Sequence, residues 1–181
     1  MIGYAMCGSF CTLKKSLETM RSLRECGYEI EPIMSEAVYT TDTRFGKCEY
    51  WRKAVSELCE RPIIHSIADA EPIGPKGYLD LLIIAPCTGN TLAKMANGIT
   101  DTSVTMAAKA QLRANKPILI ALASNDALSA NLGNIAIMRQ RKHVFFSRTE
   151  MDDPEKKPHS LVADFDDIRD LIPEIIEKYK K

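Results

Sequence analysis

Short apolar runs alternate along the chain with segments in which apolar residues recur every three or four positions. The strand-like runs are short and mostly apolar, and they lie at 1–6, 29–34, 62–67, 81–85, 118–122 and 144–146. Helical spacing of apolar residues predicts helices at about 9–25, 48–58, from 92 onward, 102–113, 131–141 and 166–181. This alternation predicts an α/β fold, a doubly wound parallel sheet with helices on both faces. We therefore expect one Rossmann-like domain over residues 1–181.

Three segments lack either periodicity. The polar segment 35–46 is long for a connection, and long loops often carry function. Two prolines and two glycines in 70–77 predict an irregular connector there. The charged, proline-bearing segment 151–158 is expected to be an exposed loop. Pro173 either kinks the terminal helix that follows or restarts it.

The stretch 79–101 holds the most informative pattern. Its apolar run Leu81–Ala85 predicts a fully buried strand, and Pro86 should end that strand because proline has no N–H for the ladder. The small polar residues 87–90 then precede a helical pattern. Such a turn is either an ordinary connection, with Thr88 or Asn90 as helix N-cap, or a ligand site at the carboxyl end of a strand.

Similar small polar turns follow other strands. Gly8 and Ser9 follow the first strand and open a helix, as in a phosphate cradle, but a plain turn explains them equally well. Ser35 follows the second strand, and 123–126 follows the strand at 118–122. If the first strand and the strand at 81–85 flank a switch point of the sheet, their turns meet over one crevice.

Composition argues against several classes of function. Acidic and basic residues number 24 each, and the resulting net charge of zero gives no footprint for nucleic acid. No apolar run approaches the ~20 residues that span a membrane, and the N-terminus lacks the basic region of a signal peptide. The six cysteines lack zinc-ligand spacing. We therefore expect a cytoplasmic protein with reduced thiols and no metal site.

The stretch 86–101 resembles the homo-oligomeric flavoproteins that include phosphopantothenoylcysteine decarboxylase and peptidyl-cysteine decarboxylases. That family has P-A-S-A-N-T followed by I-A-K-I-A-N-G-I-x-D, and this chain has PCTGNT followed by LAKMANGITD. The resemblance implies a flavodoxin-like fold, an FMN cofactor and a trimer-based homo-oligomer. The residues that it implies for cofactor binding are Gly8, Ser9, Ser35, Pro86, Thr88, Gly89 and Asn90.

Two positions depart from the decarboxylases. Their histidine position falls on Pro72 in this chain, and the nearest histidine is His65. Their substrate motif P-x-M-N is replaced by ALASN at 121–125, in which only Asn125 is kept. Both departures speak against decarboxylation of a cysteine-derived substrate.

Segments spread over nearly the whole chain are similar to one branch of this family, the B subunits of dipicolinate synthase. They are TRFG at 43–46, AEPIGPK at 70–76, APCTGN at 85–90, SNDAL at 124–128 and PEKKP at 154–158. The similarity implies a subunit that oxidises a dihydro- or hydroxytetrahydro-pyridine dicarboxylate to dipicolinate for spore formation. It also implies a dehydrogenase-like A subunit as partner, through which NADP becomes a second candidate cofactor.

A dicarboxylate substrate requires cationic or N–H donors. Arg44 offers a bidentate fork, and Lys76, Asn125 and Asp126 complete the substrate site that we predict. Arg44 is explained equally well as a solvated loop charge, and no catalytic residue is identified. Two other functions stay open, namely FMN-dependent decarboxylation of another small substrate and a flavin-binding scaffold without activity of its own.

Overall fold

The computed structural model describes residues 1–179, so the last two residues of the predicted terminal helix lie outside the described part. In chain order the strands are β1 (Ile2–Met6), β2 (Ile30–Met34), β3 (Leu81–Cys87), β4 (Ile118–Ser124), β5 (Val144–Phe146), β6 (Thr149–Asp153) and β7 (Lys157–Ala163). The helices are α1 (Leu13–Glu25), α2 (Glu36–Thr40), α3 (Cys48–Cys59), α4 (Ile67–Ala70), α5 (Ile73–Lys76), α6 (Gly89–Ala96), α7 (Ser103–Arg113), α8 (Leu132–Arg139) and α9 (Asp166–Tyr179). Helices separate the strands up to β5, as the hydrophobic pattern predicts, but four of them, α2 to α5, lie between β2 and β3, and α2 was not predicted.

One sheet of seven strands has the order β2-β1-β3-β4-β7-β6, and β5 also pairs with β4. Parallel pairing joins β2, β1, β3, β4 and β5, which confirms the predicted doubly wound sheet. The order of the strands reverses between β1 and β3, so the switch point lies between these two strands. Their carboxyl ends are therefore the expected place for a ligand.

Both faces of the sheet are covered, because successive side chains of each strand point to opposite faces. Tyr4 and Met6 of β1 belong to the apolar cluster under α1, α3 and α9. Ala5 and Cys7 belong to the cluster under α6, α7 and α8. All residues of β1, β3 and β4 are buried, as expected for central strands of a parallel sheet.

The segment between α3 and β3 differs from the prediction. Residues 62–67 form no strand, and only Ile64 makes a bridge, to Ile33 of β2. The predicted irregular connector contains α5. The short α4 before it begins at a capping box in which the side chain of Ser66 accepts from the backbone of Asp69. Pro72 precedes the first turn of α5, where its missing N–H leaves no helical bond unmade.

Pro86 does not end β3, which continues to Cys87. The pairing with β4 passes from Ile84–Ile120 to Cys87–Leu122, so β3 carries one extra residue there. A bulge of this kind accommodates a proline because the ladder requires no N–H at that position.

The predicted exposed loop at 151–158 is part of a hairpin. β6 and β7 pair antiparallel, and β7 pairs with the last residues of β4 through Ala123–Val162 and Ser124–Leu161. The hairpin lies beyond the end of β5, so β5 is not the final strand. Helix α9 runs through Pro173 without a break. Within residues 1–179, no helix is long and apolar enough to cross a membrane.

Candidate functional site

Backbone hydrogen bonds join the carboxyl ends of three neighbouring strands. The N–H of Ser35, after β2, donates to the carbonyl of Met6 on β1 at 3.0 Å. The N–H of Cys7, after β1, donates to the carbonyl of Pro86 on β3, also at 3.0 Å. The turns predicted to bind the cofactor therefore lie side by side at the switch point, in the order β2, β1, β3.

The turn after β1 is tight. The N–H of Ser9 donates to the carbonyl of Cys7 at 2.8 Å, and the carbonyl of Ser9 accepts from both the N–H and the hydroxyl of Thr12. A Cβ atom on Gly8 would lie 3.3 Å from the side chain of Ala37, so the backbone approaches α2 closely. Within residues 1–179 the Ser9 hydroxyl has only a 4.0 Å contact with the thiol of Cys11. It is therefore available to a ligand.

Ser35 places an unsatisfied hydroxyl next to these turns. Its side chain is buried at the carboxyl end of β2, and its hydroxyl has no hydrogen-bond partner among the described residues. An unsatisfied buried hydroxyl costs about 1–3 kcal/mol. A polar group bound beside the turn of Gly8 and Ser9 would remove that cost, so these residues fit a phosphate.

The turn after β3 opens helix α6. The side chain of Thr88 accepts from the N–H of Thr91 at 3.2 Å, which confirms Thr88 as the N-cap. The Thr91 hydroxyl donates to the thiol of Cys7 at 3.4 Å and so links this turn to β1. The first turn of a helix leaves N–H groups without helical partners, and those of Gly89 and Asn90 belong to it. The ordinary N-cap and the ligand site are thus compatible.

Gly89 packs against a cluster of polar side chains after β4, which we call the Asp126 cluster (Ser124, Asp126, Asn131, Asn134). The hydroxyl of Ser124 and the amide of Asn131, the latter at 2.9 Å, donate to one carboxylate oxygen of Asp126. The amide of Asn134 in turn donates to Asn131 at 2.9 Å. A Cβ atom on Gly89 would lie only 2.4 to 2.9 Å from atoms of this cluster, so no larger residue fits without a shift.

The prediction that Asp126 binds the substrate needs correction. The two hydrogen bonds to its carboxylate lower its pKa, so the group is a stable anion that already has partners. An anion in this place would repel a carboxylate substrate. The carboxylate of Asp126 instead holds the turn after β4 against the start of α6.

Asn125 precedes Asp126 but faces solvent. The oxygen of its side-chain amide accepts from the hydroxyl of Ser160 on β7 at 3.3 Å. The sequence did not point to Ser160, because it predicted no strand where β7 lies. The register of β7 on β4 brings the two residues together.

Arg44 lies in the loop between α2 and α3, on the β2 side of the same edge. The carboxylate of Asp42 accepts from the N–H of Cys48 at 2.9 Å, and Thr43 and Gly46 exchange two backbone hydrogen bonds of 3.1 Å. This compact loop exposes Arg44, whose guanidinium stacks over the Phe45 ring at 4.8 Å.

Arg44 and Asn125 lie on opposite sides of the switch point. Three strand-to-strand steps, from β2 through β1 and β3 to β4, amount to about 14 Å at ~4.8 Å a step. In one protomer the two residues therefore lie too far apart to approach the same small group. They are not placed to share one carboxylate.

Lys76 must be removed from the predicted substrate site of this protomer. It is the last residue of α5, and the next residues lead back towards the start of β3. The carbonyls of Gly77 and Leu79 accept from the ammonium group of Lys116, which itself precedes β4. This is the amino-terminal edge of the sheet, opposite the crevice.

The thiols near the crevice are not activated. Burial raises the pKa of Cys7 to about 11 and that of Cys87 well above the ordinary value. Both are therefore neutral near pH 7 and are poor nucleophiles.

Among the described residues there is also no group of three acidic, histidine or cysteine side chains that could hold a metal ion.

The chain is similar to known proteins over nearly its whole length. The family model described as Flavoprotein matches residues 1–180. The B subunit of dipicolinate synthase from Bacillus subtilis is 42% identical over 98% of this chain and 86% of its own. The crystal structure of the corresponding protein from Bacillus halodurans superposes with a TM-score of 0.84 at 41% identity, covering 97% of this chain and 88% of that one. The FMN-dependent cysteine decarboxylase SpaF has a TM-score of 0.74 at 20% identity, covering 98% and 95%, which is a likeness of fold alone.

Proposed function

Because the chain belongs to the flavoprotein family and is 41–42% identical to two dipicolinate synthase B subunits, we propose that it is the flavin-binding subunit of an oxidoreductase that forms dipicolinate. The single observation that carries the proposal is the buried hydroxyl of Ser35 beside the turn of Gly8 and Ser9, which has no partner within residues 1–179. The proposal includes a cytoplasmic location and a role in spore formation.

FMN is the cofactor that we assign to the crevice. Gly8, Ser9 and Ser35 would hold its phosphate, because two hydroxyls and a close backbone turn suit a phosphate without a lysine. Pro86 and the start of α6, Thr88 to Asn90, would lie along the flavin. When bound, the flavin supplies an acceptor for hydride. The residues of this chain bind and orient it.

The substrate side of the proposal uses Asn125 and Arg44. A pyridine dicarboxylate carries two anionic groups, and charge-assisted donors are the strongest hydrogen-bonding partners for them. The net charge of the chain is zero, so we expect local donors, and not the overall charge of the protein, to attract the substrate. We propose that the amide of Asn125 binds one carboxylate of the substrate. Arg44 would bind a different group, either of the substrate or of FMN.

A second protein completes the proposed enzyme. The chain lacks the glycine pattern of dinucleotide-binding folds, so a nicotinamide cofactor such as NADP would enter through the A subunit. We also propose a trimer-based homo-oligomer. Ile99, Leu132 and Ile137 support it, because they expose 47%, 53% and 44% of their surfaces around α6 and α8.

The test of the cofactor site is a fluorescence titration with FMN. Replacing Ser9 by Asp places an anion against the phosphate, and we expect the Kd to rise at least about tenfold, or ~1.4 kcal/mol. Ser56→Asp, which adds the same charge on α3, is the control and should bind as the parent does. If the Ser9 variant and the parent bound FMN with equal affinity, the phosphate site would not lie at Ser9.

The test of the reaction is the absorbance of dipicolinate formed by the chain together with its A subunit. Arg44→Ala and Asn125→Ala should each lower the rate about tenfold to a hundredfold, since a hydrogen bond to a charged group contributes ~1.5–3 kcal/mol. Lys76→Ala is the control, because it removes an exposed cation from the opposite edge. Full activity of the A subunit alone would refute the proposal, and release of carbon dioxide from phosphopantothenoylcysteine would favour the decarboxylase alternative.

A further inference from the structure

The residue that faces Asn125 across the sheet is Ser160. β4 pairs antiparallel with β7 through Ala123–Val162 and Ser124–Leu161, and one residue further along each chain the side chains of Asn125 and Ser160 are hydrogen-bonded. Just beyond, the N–H of Leu128 donates to the carbonyl of His159 at 3.0 Å. The turn after β4 is therefore held along β7 by both backbone and side-chain bonds.

The buried hydroxyl of Ser160 is hydrogen-bonded to the side-chain amide of the exposed Asn125. Its side chain has no solvent exposure, and its partner among residues 1–179 is the Oδ1 atom of Asn125 at 3.3 Å. Because most buried hydroxyls in proteins have a partner, we expect this bond to persist unless the hairpin moves. With Oδ1 engaged, the two N–H donors of the amide point away from β7.

A second contact fixes the same turn from its other side. The carboxylate of Asp126 accepts from Ser124 and Asn131, which ties the backbone on both sides of Asn125 to β4 and the start of α8. The backbone and the side-chain torsion of Asn125 are therefore both restrained. An exposed asparagine without such restraints would present its oxygen and its nitrogen about equally.

We propose that Ser160 is a positioning residue that orients the amide of Asn125 so that its N–H donors, and not its oxygen, face the ligand. Presented this way, the amide favours an anionic oxygen such as a carboxylate and disfavours a hydrogen-bond donor. The effect on catalysis rests on the proposed function, in which Asn125 contacts a substrate carboxylate. The orientation of the Asn125 amide does not depend on the proposed function.

The orientation is measured first, without substrate or partner. The side-chain amide resonances of Asn125 in the ¹⁵N-labelled full chain are identified by their loss in Asn125→Asp, and their order parameter is determined. Ser160→Ala should lower that order parameter. Ser147→Ala is the matched control, because Ser147 is also buried but its hydroxyl has no partner in the described residues. An unchanged order parameter in Ser160→Ala would overturn the proposal.

Kinetics of dipicolinate formation with the A subunit then separate positioning from general destabilisation. Ser160→Ala should raise KM about threefold to tenfold in the parent and have no further effect in Asn125→Ala, since the two residues act as one unit. Asn125→Asp keeps an acceptor for Ser160 but replaces the donors by an anion, so it should be less active than Asn125→Ala. Multiplicative effects of Ser160→Ala and Asn125→Ala would overturn positioning. A lowered order parameter with full activity of Asn125→Ala would support the orientation and refute the proposed role of Asn125 in the reaction.

Discussion

Replacing Gly89 by Ala tests whether α6 and the turn after β4 form one packed unit. The added Cβ would lie 2.4 Å from the hydroxyl of Ser124, 2.5 Å from the amide nitrogen of Asn131 and 2.9 Å from the carboxylate of Asp126. Real Cβ atoms do not approach other heavy atoms so closely. Because all three neighbours are short side chains bonded to one another, relief requires either breaking the Asp126 cluster or moving the start of α6.

The size of the effect follows from three contributions. Relief takes one of two routes: overpacking of a well-packed site costs about 1–3 kcal/mol, whereas loosening a hydrogen bond to the carboxylate costs ~1.5–3 kcal/mol. Alanine regains at most about 1 kcal/mol over glycine in a helix, which offsets part of either cost. We expect a net loss of about 1–3 kcal/mol in the free energy of unfolding. For a chain of this size that lowers Tm by roughly 2–12 °C, at about 2–4 °C for each kcal/mol.

The assay is thermal unfolding followed by circular dichroism at one fixed protein concentration, because oligomers melt in a concentration-dependent way. Gly133→Ala is the control. Gly133 is also near the start of a helix, α8, but nothing lies within 4 Å of a Cβ atom built there, so its Tm should stay the same or rise. A Tm of Gly89→Ala equal to or above that of Gly133→Ala would refute the packing argument.

Two further predictions follow from the pKa shifts. The pKa of Asp126 is lowered from 3.8 by its two donors, so its contribution to stability is present above that pH and is lost as the pH falls through the lower folded value. The Tm difference between the parent and Asp126→Asn should therefore be constant from pH 5 to 7 and shrink in more acidic solution; a difference that grows on acidification would contradict this. Burial raises the pKa of Cys7 to about 11 and that of Cys87 well above its ordinary value, so at pH 8 both should be alkylated much more slowly than the exposed Cys11. Peptide mass spectrometry against time measures this, and equal rates for Cys87 and Cys11 would show that the buried site opens.

Local patterns were sufficient to predict the helices that carry the site and the parallel part of the sheet. The run Leu81–Ala85 and the small polar turn after it lie within about ten residues, and strand, turn and N-cap preferences act over such distances. The same reasoning predicted that the turns after β1 and β3 meet, because parallel strands in a doubly wound sheet place their carboxyl ends at one edge. Roles of individual residues at that edge did not follow from the pattern.

Tertiary structure decided which polar residues are free to bind. Asp126 and Asn125 are adjacent in sequence, yet the carboxylate of Asp126 accepts from Asn131 and Ser124, whereas Asn125 is exposed and its amide oxygen accepts from Ser160. Lys76 is exposed, but the path of the chain from α5 into β3 places it at the wrong edge. Such assignments depend on contacts between distant elements, which composition and periodicity do not encode.

The hairpin β6–β7 shows the same limit most clearly. Its exposed charges hide any alternation of polar and apolar residues, so the segment was interpreted as a loop. Pairing with β4, from a part of the chain about 35 residues away, supplies the register that buries Ser160 against Asn125. Hydrophobic periodicity determines that a segment is a helix or a strand because it depends on near neighbours. The partner of a strand, and therefore the group that a buried hydroxyl touches, is determined only when the whole sheet has formed.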